Sequence, residues 1–184
     1  VDGLICVNNR AGGHLGDYSM ENMYNDIADL GLPMICAGGI GSEVELKKAI
    51  NLGYQGVQMG TRFIATNECN TSEDYKAAII QASEEDIVMT KKMTGVPISV
   101  IKSKYYKEDN PWFIQKLLQG RFKHTTRMLL NLNSFIRLKY LSKGKFKNKD
   151  KKKQYYSAGK SVDTVKNIQS ATDIMRTLGA SLIN

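Results

Sequence analysis

Three short apolar runs in the first third of the chain each end in glycine. Leu4–Val7 leads into Arg10-Ala-Gly-Gly-His-Leu-Gly16, Pro33–Ala37 into Gly38-Gly39-Ile40-Gly41, and Gly56–Met59 into Gly60-Thr61. The stretches between them are helical in pattern. Ser19 can cap a helix with Met20, Met23, Tyr24, Ile27 and Leu30 on one face, stopped by Gly31 and Pro33. Ser42 and Glu45 form the S-x-x-E pattern of a capping box, with Leu46, Ala49 and Ile50 on the inner face and Gly53 at the end. Strands alternating with helices at this spacing are βα units, which imply a parallel sheet and an α/β fold. A strand as uniformly apolar as Leu4–Val7 is expected to be buried on both faces.

Parallel strands share one C-terminal edge, so the three glycine loops are expected to open on the same side. There, glycines let the backbone approach an anion and aim several N–H groups at it, and the helix start at Ser42 adds a favourable dipole. This is phosphate-binding chemistry, of the kind built by the last two βα loops of a TIM barrel. His14, one of two histidines, sits among those glycines. With a reference pKa of about 6.5, an imidazole there can act as a base or hydrogen-bond an anion. The bland reading is a histidine that hydrogen-bonds its own turn. Arg62 can equally face a phosphate or a neighbouring carboxylate.

Beyond Phe63 the pattern changes. Thr71 and Asp74 are expected to open a helix carrying Tyr75, Ala78, Ile79 and Ala82, followed by a β-rich piece over 87–101, together a small α+β domain over 69–110. Residues 111–154 read as a helical, Lys-rich insertion whose apolar faces include Trp112, Phe113, Leu117, Met128, Leu132, Phe135 and Leu138. Residues 155–184 are expected to return to the barrel. Their helix is opened by Ser170 and Asp173 and turns Ile174, Met175, Leu178 and Leu182 inward.

Composition narrows the function classes. The chain opens on Val1 with a strand close behind, so no secretory or transit peptide is expected at this end. No run of about eighteen apolar residues is present to cross a membrane. Cys6, Cys36 and Cys69 are scattered, which fits neither a disulfide framework nor a metal cluster and suits the reducing cytoplasm. The net charge of +8 looks like a nucleic-acid signal until it is located: the seven lysines and one aspartate of 143–153 supply six of those charges. A binder of nucleic acid or of an acidic surface would spread basic residues along a groove, so this segment reads as a solvated loop.

In that order, Ala11-Gly-Gly-His14-Leu-Gly16, Ala37-Gly-Gly-Ile40 and Gln58-Met-Gly-Thr-Arg-Phe63 resemble the nitronate monooxygenase (2-nitropropane dioxygenase) family. The likeness continues through Tyr156-Ser-Ala-Gly-Lys-Ser161 and covers roughly 1–101 and 155–184. It implies the C-terminal part of a TIM (β/α)8 barrel, with the last three βα units over 1–68, a small second domain, and FMN as cofactor. It also implies that Gly12, Gly13, Gly38, Gly39, Gln58, Met59, Gly60 and Thr61 bind the flavin, the last run holding its phosphate, and that His14 is the catalytic histidine. The activity implied is oxidation of an alkyl nitronate by dioxygen to a carbonyl compound and nitrite.

Two positions depart from the family pattern. Val7 stands where the family has a flavin-touching glutamine, with Asn8 and Asn9 as candidate replacements, and Arg10 stands where it has a glutamate, which reverses local charge. Three strands fall short of eight, so the chain alone is expected neither to close a barrel nor to hold FMN tightly. A missing N-terminal half-barrel or a homo-oligomer would complete it. The flavin-dependent enoyl-acyl-carrier-protein reductases share the Gly-Gly-His turn and the Met-Gly-Thr-Arg-Phe run and form the alternative. Purine-nucleotide dehydrogenases share the Ala-Gly-Gly-Ile strand end but need a loop cysteine that has no counterpart here.

Overall fold

The computed structural model describes residues 1–90, 96–102 and 155–183. The expected helices over 111–154, the lysine run and the aromatic residues beside it lie outside the described residues. In chain order the elements are β1 (Leu4–Val7), β2 (Gly13–His14), α1 (Met20–Ile27), β3 (Met34–Ala37), α2 (Glu43–Leu52) and β4 (Gly56–Gln58). They continue with α3 (Thr61–Ile64), α4 (Glu73–Gln81), β5 (Ile87–Thr90), β6 (Ile98–Ile101) and α5 (Ala171–Ile183).

β1, β3 and β4 form the parallel sheet, in that spatial order, with Cys6 beside Cys36 and Cys36 beside Val57. The helices between them begin where the sequence says they should, and α2 also ends there, at Gly53. Ser19 Oγ accepts from the N–H of Asn22, and Ser42 with Glu45 makes a complete capping box. Gly31 and Gly53 end their turns at φ 63° and 111°, a left-handed conformation that glycine adopts without a Cβ clash. One face of the sheet packs on these helices. Cys6, Met20, Met34, Cys36, Leu46, Ala49 and Tyr54 close there on Ile174 and Leu178 of α5, and the Tyr54 hydroxyl donates to the Met20 carbonyl at 2.9 Å. Burial pushes the Cys36 thiol up to about 11, so it stays a protonated packing group.

The other face differs from expectation. Ile5 is 63% and Val7 36% exposed, so β1 is buried on one face, because no described element lies across the other. Two apolar stripes are also narrower than the sequence suggests: Leu30 falls in a 3₁₀ turn beyond α1, and Met175 and Leu182 of α5 point to solvent.

The second sheet is antiparallel, in the order β2-β6-β5. Its core joins Ile79 of α4 and Ala82 just after it to Ala65, Ile101, Ala158, Val162 and Val165. The residue capping α4 is Ser72, whose hydroxyl accepts from Tyr75 N, one place later than the expected Thr71. Gly13–His14, read from sequence as part of a turn, is the third strand, pairing with Ser99 and Ile98. The glycine-rich stretch after β1 therefore fastens one sheet to the other. Among the described residues, no helix is long and apolar enough to cross a membrane.

Candidate active site

The loops after β1, β3 and β4 meet at one sheet edge, as parallel strands require. What fills the space between them is a strap of the chain's own C-terminal region, Ser157–Thr164. A Cβ on Gly12 would lie 2.6 Å from Gly159 N, and one on Gly41 would lie 2.2 Å from Thr164 Oγ1. The N–H of Gly159 donates to Thr61 Oγ1 at 3.0 Å, and that of Lys160 to the Arg10 carbonyl at 3.0 Å. The strap thus touches all three loops. Gly12 is glycine because Gly159 passes against it, while Gly13 has its own left-handed φ of 71° beside the Ser157 hydroxyl.

Asn8 locks the first loop to the second. It is fully buried, its Oδ1 accepts from Arg10 N at 2.8 Å, and its Nδ2 donates to the Gly38 carbonyl at 2.9 Å. Both ends of this amide are engaged, whereas the exposed Asn9 side chain makes no hydrogen bond among the described residues. Gly38 and Gly39 follow with φ of 111° and 75°. The side chain of Arg10 lies over Gly39, with Nε 2.9 Å from where a Cβ would sit.

That arginine does not stand alone. Its guanidinium forms a two-pronged pair with Glu84, at 3.0 and 2.6 Å, and Lys160 Nζ reaches the same carboxylate at 3.0 Å. Partial burial works against a charged Glu84, but the hydrogen bonds from Arg10 and Lys160 outweigh it and hold the carboxyl below its usual range. The charge reversal read from sequence at Arg10 is therefore largely compensated by a carboxylate 74 residues away.

The third loop is the open one. Gly60 is exposed with nothing within 4 Å of its Cβ position, and Gln58 beside it is exposed too. The N–H groups of Gly39 and Gly60 make no hydrogen bond among the described residues. Thr61 is buried; its oxygen accepts from Gly159, which leaves the hydroxyl proton to donate. Met59 packs against the core behind. Arg62 takes neither expected role: it is buried and its Nη2 donates to the carbonyls of Ala65 and Asn167, while Nε has no partner among the described residues. His14 is exposed at the end of β2, and its imidazole makes no hydrogen bond among the described residues, so it does not serve to close its own turn.

Sequence reading located the loops and His14 but missed Asn8 as a lock, Glu84 as the shared carboxylate and the strap as the piece that joins the loops. The Tyr156–Ser161 motif was the available signal for the strap; nothing local marks Glu84.

The family model described as nitronate monooxygenase matches residues 1–180. The chain belongs to that family. It is 32% identical over 124 residues to a probable nitronate monooxygenase of Staphylococcus saprophyticus, a match covering 61% of this chain and 35% of that protein. The chain thus spans about a third of the length of the curated relatives it matches. Its fold is similar to that of FabK from Thermotoga maritima, with a TM-score of 0.70 at 24% identity over 99% of this chain and 56% of that one. It is also similar to nitroalkane oxidase from Streptomyces ansochromogenes, with a TM-score of 0.69 at 20% identity over 99% and 52%.

Proposed function

We propose that this nitronate monooxygenase family chain forms the C-terminal part of a TIM barrel that binds FMN at the three-loop edge and oxidises alkyl nitronates with dioxygen. The remaining strands would come from further polypeptide or from another copy. In this reading β5, β6 and α4 belong to a small domain over 69–110, to which β2 contributes from outside. The observation that carries the proposal is the loop edge itself: the N–H groups of Gly39 and Gly60 make no hydrogen bond among the described residues, and its first loop runs on into the exposed His14, whose imidazole makes none there either.

The residues present fit the cofactor in part. A phosphate can be met by the Gly39 and Gly60 N–H groups and the Thr61 hydroxyl, with room at Gly60 and at Gln58. Gly12 is exposed as well, with the strap against its Cβ direction only, so its backbone remains open to the flavin. Bound flavin supplies the electron transfer between substrate and dioxygen. His14, whose imidazole no described residue engages, would hydrogen-bond the anionic nitronate oxygens, or in neutral form take the proton from the carbon bearing a nitro group.

The test is the visible absorption spectrum of protein made from the complete coding sequence, before and after anaerobic addition of a nitronate or of NADH. Flavin bands that respond to nitronate without NADH are expected. Bleaching by NADH with no response to nitronate would favour the enoyl-acyl-carrier-protein reductase alternative, and a colourless folded protein would end the flavin reading.

A further inference from the structure

Arg10 and Lys160 stand at the two loops with free donors. Arg10 lies across Gly39, and Lys160 follows Gly159, whose N–H is held by Thr61 next to Gly60. Glu84 spans the pair. One carboxylate cannot use all the donors of a guanidinium and an ammonium, so both cations keep N–H groups to spare. A second acid, Asp163, accepts from the Glu84 backbone N–H at 3.0 Å, away from the cations' shared oxygens, and is exposed. We infer that Arg10, with Lys160 beside it, is a phosphate-recognising pair for this site, taking the phosphate monoester of its flavin, and that Glu84 holds the two cations in place of the anion.

The inference rests on the flavin reading above, but adds residues that the glycine loops do not predict. Backbone N–H groups carry no net charge, whereas a guanidinium offers a planar fork suited to phosphate oxygens. The chain would therefore discriminate between phosphorylated and unphosphorylated flavin more sharply than loops of glycine alone.

The experiment compares dissociation constants for FMN and for riboflavin, measured by flavin fluorescence quenching on the apoprotein made from the complete coding sequence, with inorganic phosphate as competitor. Arg10→Met is expected to weaken FMN binding by about tenfold or more and leave riboflavin unchanged, as loss of a charge-assisted contact to phosphate requires. Glu84→Gln is expected to act in the opposite direction, tightening FMN severalfold by removing the competing carboxylate. Inorganic phosphate should compete with FMN in the wild type and lose potency in Arg10→Met.

If Arg10 were structural, both substitutions would weaken FMN and riboflavin together, and the inference would fall. It would fall equally if Arg10→Met left FMN unchanged in a wild type that binds it. A wild type that binds neither flavin overturns the flavin reading itself, and this inference with it. Lys160→Met provides a second variant should Arg10→Met fail to fold, with the same selective loss of FMN expected at smaller size.

Discussion

The two faces of the parallel sheet have similar side chains and opposite surroundings. On one, Cys6, Met34 and Cys36 are nearly inaccessible under α1, α2 and α5; on the other, one residue along β1, Ile5 is 63% exposed. The alternation of a strand normally separates apolar from polar residues when one face is wet. Here it separates apolar from apolar. The sequence of β1 is thus that of a strand buried twice, and the part of the family's length beyond this chain is where a second cover would come from.

Substitution on the two faces is the most direct way to break that contrast. Met34→Ala on the covered face should destabilise by about 2–5 kcal/mol in urea unfolding, while Ile5→Ala in this chain alone should change stability by less than about 1 kcal/mol. In protein made from the complete coding sequence, a large effect of Ile5→Ala would show that the open face is covered there. An equally small one would sink the idea.

The same closed-versus-open contrast recurs among the glycines. Gly12→Ala places a methyl group 2.6 Å from Gly159 N, and backbone must shift to admit it. A loss of about 1–3 kcal/mol is expected, as for other overpacked sites. Gly60→Ala meets nothing within 4 Å at φ −103°, and should be near neutral for stability by thermal melt. If the proposed phosphate approach is right, its effect should appear instead as weaker FMN binding.

Smaller effects sharpen the closed side. Ser42→Ala removes a cap whose oxygen accepts from Val44 N and should reduce stability by about 1 kcal/mol. At its smallest the contrast is one of pH. The hydrogen bond from Lys48 is the main cause holding the Glu21 carboxyl down to about 2, tying α1 to α2. A depressed carboxyl contributes stability above its ordinary value and loses it as pH falls toward 2. Because Glu21 is more than a third exposed, screening should keep this below about 1 kcal/mol, seen as a smaller acid-induced decline in Glu21→Gln than in the wild type.

Local features were legible and long-range ones were not. The caps at Ser19, Ser42 and Ser170 and the strand ends at glycine follow from residues a few places apart, whose chemistry acts over the same few places. The pairing of Gly13–His14 with β6 and the meeting of Arg10 with Glu84 join segments far apart in the chain, and no local pattern encodes them. Leu30 and Met175 mislead for a related reason: helical spacing marks which residues share a stripe, but how far that stripe is covered depends on what packs against it. The glycines show both sides of this. Their clustering pointed correctly to a shared loop edge, while Gly12 owes its identity to a neighbour 147 residues further on.

The strap also sets an order of events. The residues that bind the three loops together, Gly159 and Lys160, are made long after the loops themselves. During translation the edge must wait, unjoined, until the strap itself has left the ribosome. A ribosome stalled before residue 159 would carry the strands and helices of the parallel sheet without a finished site.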